Sequence, residues 1–280
     1  MGQPISEAVT RPGSPGHRRG AARPVDAGWS KVPQVTAVFW IVKVLTTGMG
    51  ETASDYLGRT LGPIPAGGLG LVGLVVALVL QLRSDRYRPW TYWSAIVMVS
   101  VFGTMAADVV HVVAGVPYAV SAVTFAVALA AIFVAWYSSE RTLSIHSIRT
   151  RRRETFYWAT VLITFALGTA LGDLTAGTLD LGYLTSGFLF AALIAVPALS
   201  GRFLGLNAVA AFWSAYVLTR PLGASFADWM GVPASRAGLG WGTGPVTLAL
   251  IVPIVALVAL LAARHRDTTR AGGANREQMP

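Results

Sequence analysis

The chain has 280 residues, 54% of them hydrophobic and only 12% charged, with a mean hydropathy of +0.56 and a net charge of +9 from 22 Lys+Arg against 13 Asp+Glu. This composition argues against a soluble globular domain and for a polytopic membrane protein. The absence of cysteine excludes disulfides, thiolate metal sites and cysteine nucleophiles.

Residues 1–31 are rich in Pro, Gly, Arg and Ser without periodicity, which predicts a disordered tail. No apolar stretch precedes Val35, so no signal peptide is expected. The first helix is predicted over residues 35–57, and Gly62, Pro63 and Pro65 mark the turn into a second that ends near Leu82. A third helix follows over 90–113 and a fourth over 116–137, together completing a first half of the membrane domain, residues 32–138. Residues 139–155 form a basic linker with Arg149, Arg151, Arg152 and Arg153. The second half, 156–265, holds helices over 156–174, 181–199 and 204–229, the last broken at Pro221, and an eighth helix ending near Ala263. Residues 266–280 read as a second disordered tail.

The loop charges fit eight spans. One side collects 18 Lys+Arg, the other only Arg59 and Arg236, while Lys43 and Arg220 fall inside spans. The positive-inside rule then places both termini in the cytoplasm. The membrane is expected to be the cytoplasmic (inner) one.

The chain repeats itself. Phe39-Trp40, Tyr92-Trp93, Tyr157-Trp158 and Phe212-Trp213 are each followed by a glycine ten residues after the Trp (Gly50, Gly103, Gly168, Gly223) and an aspartate fifteen after it (Asp55, Asp108, Asp173, Asp228). On a helix, fifteen residues span roughly 22 Å at about 1.5 Å each. A bilayer core is about 30 Å thick. With the Trp as an interface anchor, the glycine falls near mid-depth as a close-packing point, and the carboxylate lies beyond it. The unit is a helix pair with its motif on the first helix. Trp-Ser-Ala and Ala-Asp shared by copies two and four indicate a duplicated four-helix half. The expected fold is therefore an all-α, eight-span membrane protein of four parallel helix-hairpin repeats.

All intramembrane charge sits on the odd-numbered helices: Lys43, Glu51, Asp55, Asp108, Asp173, Arg220 and Asp228. A charge at mid-span costs about 2.5–3.5 kcal/mol on insertion scales. The odd helices are thus expected to form an inner ring and the even helices a lipid-facing outer one. Positions seven, eleven and fifteen after the Trp share one helical face. They are Thr47, Glu51 and Asp55 in the first copy, Ser100, Thr104 and Asp108 in the second, Phe165, Thr169 and Asp173 in the third, and Arg220, Ala224 and Asp228 in the fourth. Four carboxylates at one depth around an axis suit a cation site. The candidate ion-binding residues are Glu51, Asp55, Asp108, Asp173, Asp228 and Thr47, with Lys43 and Arg220 as counter-charges. Lys43 could instead snorkel toward the cytoplasmic surface, and His111 could join a metal or proton site. The same carboxylates could serve only to cap helices or pair with Lys43 and Arg220 in a structural lock. No P-loop, His-rich cluster, GxSxG or HExxH is present, so neither an enzyme nor a resident cofactor is expected. The basic linker reads as a topogenic, headgroup-binding segment rather than a nucleic-acid site.

The stretch Phe39-Trp40-Ile41-Val42-Lys43, Thr46-Thr47, Gly50-Glu51-Thr52 and Asp55 resembles a bacterial family of uncharacterised membrane-anchored proteins. That family is built from four tandem repeats, each with two transmembrane regions and a characteristic Trp. The resemblance spans residues 32–264 and implies architecture, not activity. From the residues themselves, two functions are expected as alternatives. One is a secondary transporter or exchanger of a small cation, with divalent metals and proton coupling included. The other is a non-transporting membrane scaffold or sensor whose buried polar groups are structural.

Overall fold

In the computed structural model, which describes residues 30–203, 205 and 207–277, every regular element is helical. Helix α1 (Ala37–Leu61) is started by Thr36, whose hydroxyl accepts from the Phe39 amide at 3.3 Å. It ends at Gly62, a single positive-φ residue (84°) that turns the chain directly into α2 (Pro63–Arg83). Proline opens both α2 and α3 (Pro89–Asp108), where its missing N–H costs no bond. Then come α4 (Tyr118–Glu140), α5 (Arg151–Asp173), α6 (Gly182–Phe203), α7 (Ala208–Gly231) and α8 (Thr243–Glu277). Helices α3 and α5 both widen into a π-helical turn immediately after the motif aspartate, at Val109–Val113 and Leu174–Thr178.

The odd helices close into a ring, α1 against α3, α3 against α5, α5 against α7 and α7 against α1. The even helices lie outside it. Their packing departs from the simple hairpin picture, because α2 packs more on α3 than on its own partner α1. Likewise α4 packs on α5, α6 on α7, and α8 returns to α1. Each repeat thus covers the next, and the last covers the first. The outward faces of the even helices expose large apolar side chains such as Val72, Val123, Phe188 and Val252.

Among the described residues, six helical stretches are long and apolar enough to cross a membrane: Pro63–Arg83, Pro89–His111, Tyr118–Glu140, Arg151–Thr178, Gly182–Gly201 and Thr243–Arg266. They and the apolar exterior give the chain the character of a multi-pass integral membrane protein. Helices α1 and α7 are not among the six; they hold Lys43, Glu51, Asp55, Arg59, Arg220 and Asp228.

Three local expectations are corrected. Helix α7 runs unbroken through Pro221, whose ring packs beside the side-chain-free surface of Gly168. Helix α8 continues to Glu277 rather than giving way to a tail at residue 266, no proline following Pro253 until Pro280; residues 278–280 lie outside the described residues. Residues 1–29 also lie outside them, but the end of the expected N-terminal tail is built in. Lys31 is buried, donates its amide to the Ile148 carbonyl at 3.1 Å, and forms an ion pair with Glu154 at 2.7 Å. Gln81 donates to the other Glu154 oxygen at 2.9 Å. The linker joins this contact, burying Ile145 and Ile148 around a 3₁₀ turn, Ile145–Ser147.

Candidate functional site

The parallel odd helices bring equivalent motif positions to the same level, so the repeat becomes a stack of layers around the ring axis. At the N-terminal end of these helices the aromatic pairs interlock. The first ring of each pair meets the Trp of the next repeat: Phe39 with Trp93 at 5.8 Å, Tyr92 with Trp158 at 5.6 Å, Tyr157 with Trp213 at 6.2 Å, and Phe212 back to Trp40 at 5.6 Å. The Tyr92 and Tyr157 hydroxyls lie 2.5 Å apart, and Trp213 Nε1 donates to the Leu143 carbonyl at 2.9 Å. Trp93, Trp158 and Trp213 are buried in protein and Trp40 is half-buried. The motif tryptophans are therefore not lipid-facing anchors; they pack that end of the ring.

The next relationship explains the motif glycine. Each one receives the side chain seven residues after the Trp of the following repeat. A Cβ at Gly50 would overlap Ser100, one at Gly103 would lie 2.7 Å from Phe165 Cβ, one at Gly168 would overlap Arg220, and one at Gly223 would overlap Thr47. Close packing at these glycines was legible in the sequence; the cyclic exchange of partners was not. Thr47 is accordingly not part of the cavity described below. Its hydroxyl donates to the Val44 carbonyl at 2.6 Å and the Thr219 carbonyl at 3.2 Å, joining α1 to α7.

Lys43 is fully buried and does not snorkel. Its Nζ sits 4.3 Å from the Phe165 ring centroid and 4.4 Å from that of Tyr216. It has no hydrogen-bond acceptor and no ion pair among the described residues, so it is not the direct partner of any motif carboxylate. Arg220 takes the expected counter-charge role. Its Nη2 donates to Glu51 Oε2 at 2.6 Å, to Thr169 Oγ1 at 2.8 Å, and to Thr104 Oγ1. Arg220 is completely buried and Glu51 is 5% exposed. Thr104, Thr169 and Glu51 share position eleven after their Trp, and their spacing was the available signal for this grouping.

Beyond that layer a cavity of about 460 Å³ opens at the end of the bundle carrying Arg59, Pro63 and Arg236. Glu51, Asp55, Asp108, Asp173 and Asp228 all line it, so every repeat contributes a carboxylate. Arg59 pairs with Asp55 at 2.7 Å, and Ser54 Oγ donates weakly to Asp108 at 3.4 Å. Ser54, Tyr118 and Tyr183 also line the wall and were not foreseen, because they lie off the motif stripe or on even helices. His111 is turned away toward the Val116 carbonyl (3.1 Å) and the Tyr118 ring. Among the described residues, no three His, Asp or Glu side chains gather closely enough to hold a metal ion. The carboxylates surround a shared space instead. Chemically the arrangement can attract a cation into a space walled by carboxylates and set it against one buried guanidinium.

No curated protein and no solved structure matches the chain. The sequence profile of the family described as Repeat of Unknown Function (DUF347) matches it over residues 38–87, 91–142, 156–201 and 211–267. Each match begins one residue before an aromatic pair and takes in one inner helix and the outer helix that follows it. The chain belongs to this family, as four tandem copies of its repeat.

Proposed function

We propose that the protein is an eight-span secondary transporter or exchanger of a small cation, in the cytoplasmic membrane with both termini on the cytoplasmic side. Eight spans are favoured over six because α1 and α7 complete the ring begun by α3 and α5, burying Lys43, Glu51 and Arg220 inside it. The positive-inside rule then turns the aromatic layer toward the cytoplasm and the mouth of the cavity, with Arg59 and Arg236, outward. Reporter fusions after Arg83, Arg141 and Arg264 should read as cytoplasmic, and fusions near Arg59 and Arg236 as external.

The observation that carries this reading is the cavity reaching Glu51, with one aspartate from each repeat on its wall. A low-dielectric cleft lined by one sign of charge concentrates the opposite ion. A non-transporting scaffold or sensor would use the Arg220–Glu51 pair as a lock, but a lock needs no access from solvent. Because the carboxylates are spread around the space, a cation crosses the cavity with its water rather than being stripped by several carboxylates at once. Uptake of sodium, potassium, methylammonium, guanidinium, calcium and manganese into proteoliposomes, with and without an imposed pH gradient, tests the proposal. Protein-dependent accumulation of one of them is expected. Uptake equal to that of protein-free liposomes for all of them would reject transport of a small cation.

A further inference from the structure

One nitrogen of Arg220 is held in an unusual way. Nη2 alone donates toward three oxygens, those of Glu51 on α1, Thr104 on α3 and Thr169 on α5. Nε and Nη1 are equally buried and have no hydrogen-bond partner among the described residues. A guanidinium used as a structural clamp normally meets a carboxylate through two parallel N–H bonds. Leaving two buried donors unpaired costs stability that a fork-to-fork pair would retain. The Arg220 side chain therefore acts less as a clamp than as a point charge delivered into a nest of oxygens. The fourth inner helix carries Ala224 at this level, so it supplies no oxygen; one turn earlier it supplies the cation itself. Glu51 meanwhile lines the cavity, so it faces Arg220 on one side and the open space on the other.

We propose that Glu51, Thr104 and Thr169 form a monovalent-cation site and that Arg220 is its tethered occupant, displaced when the transported cation arrives from the cavity. This deepens the transport reading and rests on it. One carboxylate and two hydroxyls carry a single negative charge, which suits an alkali, ammonium or guanidinium ion better than a divalent metal needing more anionic oxygens. An entering cation passes the four aspartates and then competes with Arg220 for Glu51. The displaced guanidinium keeps the Phe165 ring, now 5.3 Å from its Cζ, as an alternative seat. When the cation leaves, Arg220 returns, so the carboxylate is never left uncompensated in the interior. That favours exchange over leak.

The test is cation binding to the purified full chain, with guanidinium, methylammonium and sodium as probes at millimolar concentrations, followed by calorimetry and thermal shift. Arg220→Ala leaves room for the probe, and Arg220→Gln keeps bulk and hydrogen bonding if the alanine variant does not fold. Removing the internal competitor should tighten binding of at least one probe by roughly tenfold or more, since an occupied site shows only its vacated fraction to a ligand. Adding Glu51→Gln to either variant should abolish that gain. Equal affinity in wild type and both variants, or a gain that survives Glu51→Gln, would overturn the tethered-occupant assignment while leaving cation binding in the cavity standing. No saturable binding of any probe to wild type or variants would overturn both.

Discussion

Arg220 of α7 lies across Gly168 of α5 so closely that a Cβ at Gly168 would sit 2.5 Å from Arg220 Cβ and 3.1 Å from Pro221 Cδ. The repeat glycine is thus the seat of the next repeat's side chain, and at this position that side chain holds the charge at the centre of the protein. Gly168→Ala should destabilise the protein by about 1–3 kcal/mol through overpacking and displace Arg220 from Glu51. Gly67→Ala on α2, where an added Cβ meets nothing within 4 Å, should be neutral or slightly stabilising, as alanine is the better helix former. Thermal unfolding in detergent compares the two.

The tryptophans give a second contrast. Trp158 is 4% exposed and packed edge-on or tilted against Tyr157 and Tyr92, whereas Trp241 is 56% exposed. Trp158→Ala should cost about 3–5 kcal/mol, the range for emptying a packed aromatic site. Trp241→Ala should change stability by no more than about 0.5 kcal/mol. Equal, small effects would return the motif Trp to the role of lipid anchor.

Two ion pairs of the same length should contribute very differently to stability. Lys31–Glu154 is 2.7 Å and almost wholly buried, while Asp55–Arg59 is also 2.7 Å but leaves the arginine 57% exposed. Glu154→Gln strands Lys31 in the interior and should cost about 3–5 kcal/mol. Arg59→Gln breaks a solvent-screened i,i+4 pair and should cost about 0.3–0.5 kcal/mol, with the difference fading as salt is raised. Chemical or thermal unfolding at low and high ionic strength checks both.

Much of this architecture was legible in the sequence because the repeat fixes depth. Trp, Gly and Asp at constant spacing on the odd helices identified the inner ring, and five of the eight named site residues, Glu51 and the four aspartates, do line one cavity. Arg220 was legible as a counter-charge. The failures share a cause: a helical pattern reports which face is polar, not which neighbour it meets. Thr47 lies on the motif face but is satisfied by backbone carbonyls of α1 and α7. Lys43 shares that face, yet its neighbours at that level are rings rather than carboxylates. Trp93 and its equivalents occur at a depth where lipid anchoring and mutual packing look the same in one dimension. Lys31 sits at the edge of a polar tail, and only its partner 123 residues away shows why it is buried.

The most direct measurement is cation flux into proteoliposomes by wild type and by the double variant Glu51→Gln, Arg220→Gln. Glu51→Gln alone is ambiguous, because it leaves a buried guanidinium without its counter-charge and should destabilise the protein whatever the function. The double variant removes both charges while nearly preserving volume and hydrogen-bonding capacity. It should remain folded, with an unfolding temperature near that of wild type, and its flux should fall to the level of empty liposomes. Flux at the wild-type rate in the folded double variant would contradict transport through the Glu51 site.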